Sequence, residues 1–424
     1  MDTVMVKRVL MIAFHFPPMR GSSGIQRTLK FARYLPQFGW QPLVLTANPR
    51  AYISTGQDQI AEIAADTPVR RAFALDTSRH LSIKGRYLTI LALPDRWISW
   101  FFGAIPSGMQ MMRQYKPKVI WSTYPIATAH LIGYALHCLT KVPWIADFRD
   151  PMTDQVHPEN RLVKRIYQLI EKRTLTSCQV AVFASRGALL DYKARFPLVP
   201  ASRFALIENG YCEEDFMISS AALKAKTTGH PLKIVHSGVI YPLERNPVPF
   251  FEALSEMLQE GLVGPTSLKI VLRASGHDSY LEPLIKNLGI KSIVELAPPI
   301  SHRHAIEEMM NADGLLIIQA SNCNSQIPAK LYECMRAQRP IFALTDSSGD
   351  TAACLKLVGI DSIASLESRS EIAIGLKNFL GRLSAGTAPI ADMEVTTRFS
   401  RYLRTAELAS LLQELCEPQK KTSL

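Results

Sequence analysis

The sequence predicts an α/β chain of two doubly wound, Rossmann-like parallel-sheet domains, and three observations carry that expectation. Its 424 residues exceed the roughly 250–300 at which a single hydrophobic core stops growing, so two cores are expected. Short apolar runs alternate with segments of helical period, the pattern of βαβ units around parallel sheets. Near the middle, the polar and weakly patterned stretch Ser219–His230 interrupts the alternation, and Pro231 then precedes a fresh apolar run, which marks a linker.

In the first half the strands are expected at Val9–Phe14, Pro42–Thr46, Val69–Ala74, Val119–Ser122, Trp144–Ala146, Val180–Ala184 and Phe204–Ile207. Helices are expected at Ile25–Phe38, closed by Gly39, and at Ile126–Leu139, each with an apolar stripe at three- and four-residue spacing. The second half repeats the design, with strands at Leu232–His236, Leu268–Arg273, Ser292–Leu296, Gly314–Ile318 and Pro340–Leu344. A last helix, Arg398–Leu415, follows the polar run Ser384–Asp392, long enough to lead the chain back to the first domain. The expected domains are therefore 1–220 and 231–392, with 393–424 as a returning helical segment.

Composition narrows the function classes. With 47% hydrophobic and 20% charged residues the chain is ordinary globular material. Seven scattered cysteines, with no CxxC pair, indicate neither a disulfide framework nor a zinc site and fit a reducing cytoplasm; no metal is expected. The opening apolar run is short and lacks a small-residue cleavage site, so it reads as a core strand. No stretch reaches the ~20 apolar residues that span a bilayer. A net charge of +11 favours anionic partners: nucleic acid, acidic lipid or a phosphate-bearing substrate. Zinc-finger and RNP motifs and a compact basic stripe are all missing, so nucleic acid is not expected. An anionic membrane surface is a candidate partner. The stretch Leu93–Pro117 sets Trp97, Trp100, Phe101 and Phe102 beside Arg96, Arg113 and Lys116, and reads either as a core helix or as a lipid-facing surface.

Four motifs carry chemistry. After the first strand, His15-Phe-Pro-Pro-Met-Arg-Gly21-Ser-Ser-Gly24-Ile-Gln-Arg27 is a glycine-bearing loop opening into a helix, where backbone amides meet anions. It lacks the GxGxxG fingerprint of dinucleotide binding. The run Trp144-Ile-Ala-Asp147-Phe-Arg149-Asp150-Pro151 places two carboxylates and a guanidinium just past a strand's carboxyl end; the alternatives are a ligand site and an ion pair bracing the loop. His236-Ser-Gly238, with Arg245 beyond it, repeats the strand, glycine and basic residue order. Lys330 and Glu333 lie on one helical face, fit to meet a diphosphate and vicinal hydroxyls, or else to pair with each other.

Together with the LPDRWISW, STYP, ENGYCEEDF and PAKLYECMRAQRPIFAL runs, these motifs resemble, in order and spacing, glycosyltransferase family 4 and its close relatives over almost the whole chain. That resemblance implies a GT-B fold, two Rossmann-like domains facing across a cleft. It also implies a retaining, metal-independent sugar transfer from a nucleotide-diphosphate-sugar to a glycan or lipid-linked acceptor in cell-envelope or exopolysaccharide synthesis. The N-terminal domain would bind acceptor and the C-terminal domain donor. Glu333 falls on the second glutamate of the family's E-x7-E pattern, which holds the donor ribose, and Lys330 and Arg245 would neutralise the leaving diphosphate. Gly21, Gly24 and Gly238 are assigned to donor binding, and Asp147, Arg149 and Asp150 to the catalytic region. Three positions depart from the pattern: Ser325 replaces the first glutamate, Val239 the basic residue after the glycine, and Thr123 the histidine after the fourth strand. Arg245 and Arg273 would then supply the positive charge. The departures leave a non-catalytic scaffold as an alternative, and a nucleotide-sugar epimerase is a second.

Overall fold

The computed structural model describes residues 6–21, 24–153, 158, 160–220 and 230–417. The chain divides into two compact units, Met1–Asn209 with Arg401–Leu424, and Gly210–Ser400. Most of the expected linker, 221–229, lies outside the described residues.

The first unit is built on a parallel sheet of seven strands: β1 (Lys7–Ile12), β2 (Trp40–Ala47), β3 (Val69–Ala72), β4 (Val119–Thr123), β5 (Trp144–Arg149), β6 (Val180–Phe183) and β7 (Phe204–Leu206), in the order β3-β2-β1-β4-β5-β6-β7. Its helices are α1 (Gly24–Tyr34), α2 (Thr77–His80), α3 (Ser99–Tyr115), α4 (Ala127–Thr140), α5 (Arg161–Ser177) and α6 (Arg186–Arg195). In β1, Val9 and Met11 enter one apolar cluster and Leu10 and Ile12 another, so the sheet is covered on both faces. That is why its strands read as continuous apolar runs.

The second unit opens with α7 (Glu213–Ser220) and holds a parallel sheet of β8 (Leu232–Ser237), β9 (Leu268–Arg273), β10 (Val294–Ala297), β11 (Gly314–Ile318), β12 (Ile341–Leu344) and β13 (Ile363–Ala364), in the order β10-β9-β8-β11-β12-β13. Between and after these strands come α8 (Val248–Gln259), α9 (Asp278–Asn287), α10 (His302–Met310), α11 (Lys330–Arg336), α12 (Asp350–Leu357), α13 (Arg369–Ser384) and α14 (Met393–Thr397). The final helix, α15 (Arg401–Glu414), belongs to the first unit and packs on α1. Tyr402 meets Tyr34 and Phe38 at ring distances of 5.8 and 5.0 Å.

Three differences from the sequence reading have local causes. The helix expected over Ile25–Phe38 is α-helical only to Tyr34; Pro36, which has no amide to donate, turns the rest into a 3-10 turn. Gly39 closes it at φ 78°, as the sequence predicts. The helix expected over Arg398–Leu415 begins at Arg401, because the chain at 398–400 breaks to pair with Tyr211, whose amide donates to the Phe399 carbonyl at 3.2 Å. In the Leu93–Pro117 stretch, Trp100 is fully buried and the Trp97 indole donates to the Ala51 carbonyl at 3.2 Å, so its tryptophans belong to the core.

Candidate functional site

In each sheet the strand order reverses once, between β1 and β4 and between β8 and β11. Chain connections leave such a switch point in opposite directions, which opens a crevice at the strands' carboxyl ends. The four motifs of the sequence lie at or beside these two points.

In the first unit, the centre is a buried ion pair. Arg27 of α1 donates to both oxygens of Asp147 at 2.8 and 2.9 Å, and further to the Ile207 and Glu208 carbonyls. Thr123 donates its hydroxyl to the same carboxylate at 2.9 Å. Both oxygens of Asp147 are therefore occupied inside the protein, and its place is that of a brace joining α1, β4 and β5. A substrate-touching role for Asp147 is replaced by this structural one.

Two residues on, the backbone leaves the strand. Arg149 sits at φ 60°, a left-handed conformation costly for a residue with a Cβ, and the β5–β6 register shifts between Asp147 and Arg149. Its buried guanidinium donates to the Tyr124 carbonyl at 3.2 Å, while its Nε has no partner among the described residues. Burial lowers the Arg149 pKa, and burial likewise raises that of Asp150 beside it, against the pull of Arg149. The His15 ring faces the same guanidinium; burial, then Arg149, pushes it down to about 3, so it is neutral at physiological pH.

The glycines of the first loop divide in role. A Cβ on Gly24 would lie 2.6 Å from both Arg149 Nη1 and His15 Nδ1, so glycine there lets α1 approach those two side chains. Gly21 holds φ 81° with open space around it, a turn glycine. The structure thus gathers His15, Gly24, Arg149 and Asp150 at the carboxyl end of β1 and β5. His15 joins the site beyond the residues assigned from the sequence; its signal is its place just past the end of β1.

In the second unit, Gly238 follows β8 at φ 147°, and Arg245 returns from its loop so that Nη1 lies 3.8 Å from where a Gly238 Cβ would stand. The Arg245 guanidinium donates to the Val239 carbonyl and stacks over Tyr241. Burial lowers its pKa, against the pull of Tyr241 and Glu244. Lys330 opens α11 and pairs with the buried Glu333 at 3.1 Å; His302 lies 3.9 Å from the other Glu333 oxygen and 3.1 Å from Asp215. Arg273, by contrast, is spent on a bidentate pair with Glu308, 2.8 Å for each bond, and braces β9 to α10. The electrostatic role expected of Arg273 is corrected accordingly.

A further residue joins this group. His236, one residue before the end of β8, donates its Nδ1 hydrogen to the Leu316 carbonyl at 2.9 Å, which leaves Nε2 as a buried acceptor without a partner among the described residues. Burial, then Arg245, pushes its pKa down to about 4. Among the described residues no group of three or more His, Cys, Asp or Glu side chains is arranged to hold a metal ion.

Two doubly wound units, each with basic and polar residues at its switch point, define the GT-B class, and solved structures share the fold. Sucrose-phosphate synthase from Thermosynechococcus elongatus matches at a TM-score of 0.68 and 12% identity, covering 96% of this chain and 99% of that one. HepE from Anabaena in complex with UDP-glucose matches at 0.65 and 13%, covering 96% and 99%. A putative UDP-N-acetylglucosamine 2-epimerase from Listeria monocytogenes matches at 0.57 and 10%, covering 96% of each. Residues 23–210 match the glycosyl transferase 4-like domain. The chain therefore has the GT-B fold, and its residues 23–210 carry a glycosyl transferase 4-like domain. No curated protein matches its sequence.

Proposed function

We propose that the protein is a retaining hexosyltransferase that moves a sugar from a nucleotide-diphosphate-sugar to a glycan or lipid-linked acceptor, in cell-envelope or exopolysaccharide synthesis. The observation that supports this best is the second unit's switch point, where Arg245 lies beside Gly238, Arg245 and Lys330 both bear on the His236 ring, and Lys330 pairs with Glu333. A half-buried guanidinium is matched by the charge of a diphosphate. Glu333 accepts from the ribose hydroxyls, and Lys330 shifts from Glu333 toward the diphosphate. HepE, a neighbour of the same fold, was solved with UDP-glucose, which favours a donor of that kind.

In the transfer, the bond from the anomeric carbon to the diphosphate oxygen breaks while the acceptor oxygen bonds to the same face of the sugar. The acceptor's proton passes to the departing phosphate oxygen, so no protein nucleophile is required. Arg245 and Lys330 stabilise the charge that develops on the diphosphate. In the first unit, Arg149 and Asp150 orient the acceptor, Gly21 and Gly24 contribute to donor binding, and Asp147 positions the strand end through Arg27. No metal is assigned to the reaction. The protein acts in the cytoplasm, peripherally on the membrane's inner face where the acceptor is lipid-linked.

The test is a thermal-shift panel of UDP, GDP, ADP and their common sugar conjugates. A ligand at 100 times its dissociation constant adds about 2.7 kcal/mol of stability. One nucleotide is expected to stand out, and Glu333→Gln to abolish its shift. Stabilisation by donor without transfer to any acceptor would favour the non-catalytic scaffold, and interconversion of sugar epimers would favour the epimerase.

A further inference from the structure

The apolar surface most exposed in the first unit is not the tryptophan stretch but the loop before it. Every residue from Ile83 to Ile90 is exposed. Three are large aliphatics with little cover, Ile83 at 80%, Leu88 at 70% and Ile90 at 73%, and Tyr87 is exposed beside them. Isolated exposed apolar residues are ordinary, but three such aliphatics in eight residues need an explanation.

The loop is held firmly at its base. Thr77 receives the Leu91 end, donating its hydroxyl to the Leu91 carbonyl at 2.8 Å, and its amide donates to the Arg96 carbonyl at 2.8 Å. Asp76 caps α2 and takes an ion pair from Arg96 at 2.6 Å. At the tip, Ile83 and Arg86 exchange backbone hydrogen bonds of 2.8 and 3.0 Å around Lys84 and Gly85, both at positive φ, which is a tight hairpin turn. A fixed stem therefore presents an apolar hairpin outward.

Charge selects the occupant. Between Asp76 and Asp95 the sequence contains no acidic residue, whereas Arg79, His80, Lys84 and Arg86 are basic or titratable and all exposed. Asp95 itself is buried, spent on Thr128 at the start of α4. Aliphatic side chains interleaved with cations suit the boundary between acyl chains and anionic headgroups. Among the described residues no helix is long and apolar enough to cross a membrane, so attachment would have to come from the surface.

We propose that the hairpin loop 81–91 inserts into anionic lipid bilayers and docks the protein there. This deepens the reading of a lipid-linked acceptor but stands on separate observations. The experiment is co-sedimentation of the full chain with phosphatidylcholine vesicles, with and without phosphatidylglycerol. Binding is expected to rise about tenfold with the anionic lipid and to weaken in high salt. Combined Ile83→Glu, Leu88→Glu and Ile90→Glu should abolish it, and Lys84→Glu with Arg86→Glu should reduce it to the neutral-vesicle level. All five side chains are exposed, so the melting temperature should not change.

Wild-type protein that ignores anionic vesicles, or a triple variant that binds them equally, would overturn the proposal. So would a dimer in light scattering that the triple variant dissolves while wild type binds no vesicles, since the occupant would then be a second copy. Nucleotide thermal shifts measured on the same variants should match wild type. Loss of vesicle binding with shifts retained would concern the hairpin alone, and vesicle binding without any nucleotide shift would concern the donor site alone.

Discussion

The guanidinium of Arg27 is buried, and Asp147 supplies its counter-charge. Removing one partner of such a pair leaves an uncompensated buried charge, which costs about 3–5 kcal/mol. Asp147→Asn is therefore expected to lower the unfolding free energy read from urea denaturation by that amount or to prevent folding, and wild-type stability would contradict the bracing role. The cost of burying the charges of ADFRDP was legible in the sequence, and so were both of its outcomes, a ligand site or a brace. The partner was not, because Arg27 lies 120 residues away and only the fold of β5 against α1 brings it there. Gly24 makes the same point: a glycine at a helix start reads as an anion site, whereas the residues it admits here, His15 and Arg149, come from two other segments.

At the scale of elements, α15 ties the chain's end to its beginning. Leu408 and Leu412 are fully buried in the cluster that holds Leu29, Phe31 and Leu35 of the α1 segment. Leu412→Ala should cost about 2–5 kcal/mol, the usual range for a cavity in a packed core, as read from urea denaturation. The stabilisation by nucleotide should survive it, because Arg245, Lys330 and Glu333 lie in the other unit. Loss of that stabilisation would contradict the assignment. The strands were legible to within a few residues because both faces of each sheet are covered, which leaves long apolar runs in the sequence. Strand β13, Ile363–Ala364, is too short to leave such a run.

At the scale of the whole molecule, buried histidines in both units set an acid limit. His15 is held at about 3, and His130 and His236 at about 4, in each case chiefly by burial, against an ordinary value of 6.5. Below pH 6.5 the unfolded chain binds more protons than the folded one at these sites. Their contribution to stability is therefore complete above pH 6.5 and is lost as pH falls toward the folded values, by at most ~1.4 kcal/mol per pH unit for each histidine. Asp95 and Asp150, both raised by burial, act with the opposite sign: their contribution is present at low pH and is lost as pH rises through their folded values. The net expectation between pH 7.5 and pH 5.5 is a loss of stability, led by the histidines. His130→Gln should flatten the profile, and a profile already flat in the wild type would count against neutral, buried rings.

The sequence by itself determined the architecture, since apolar periodicity is local and each βαβ unit announces itself within about 30 residues. It also placed the functional motifs at strand ends, where glycines and charges interrupt the apolar runs. Tertiary structure alone decided which of those charges are spent inside the protein. Asp147 and Arg273 are bound in buried or half-buried pairs, whereas Arg245 donates to a backbone carbonyl, and Trp100 of α3 is buried while the hairpin before it is bare. The physical reason is that pairing and burial depend on distance in space, and distance in space is fixed only when segments far apart in the chain pack together.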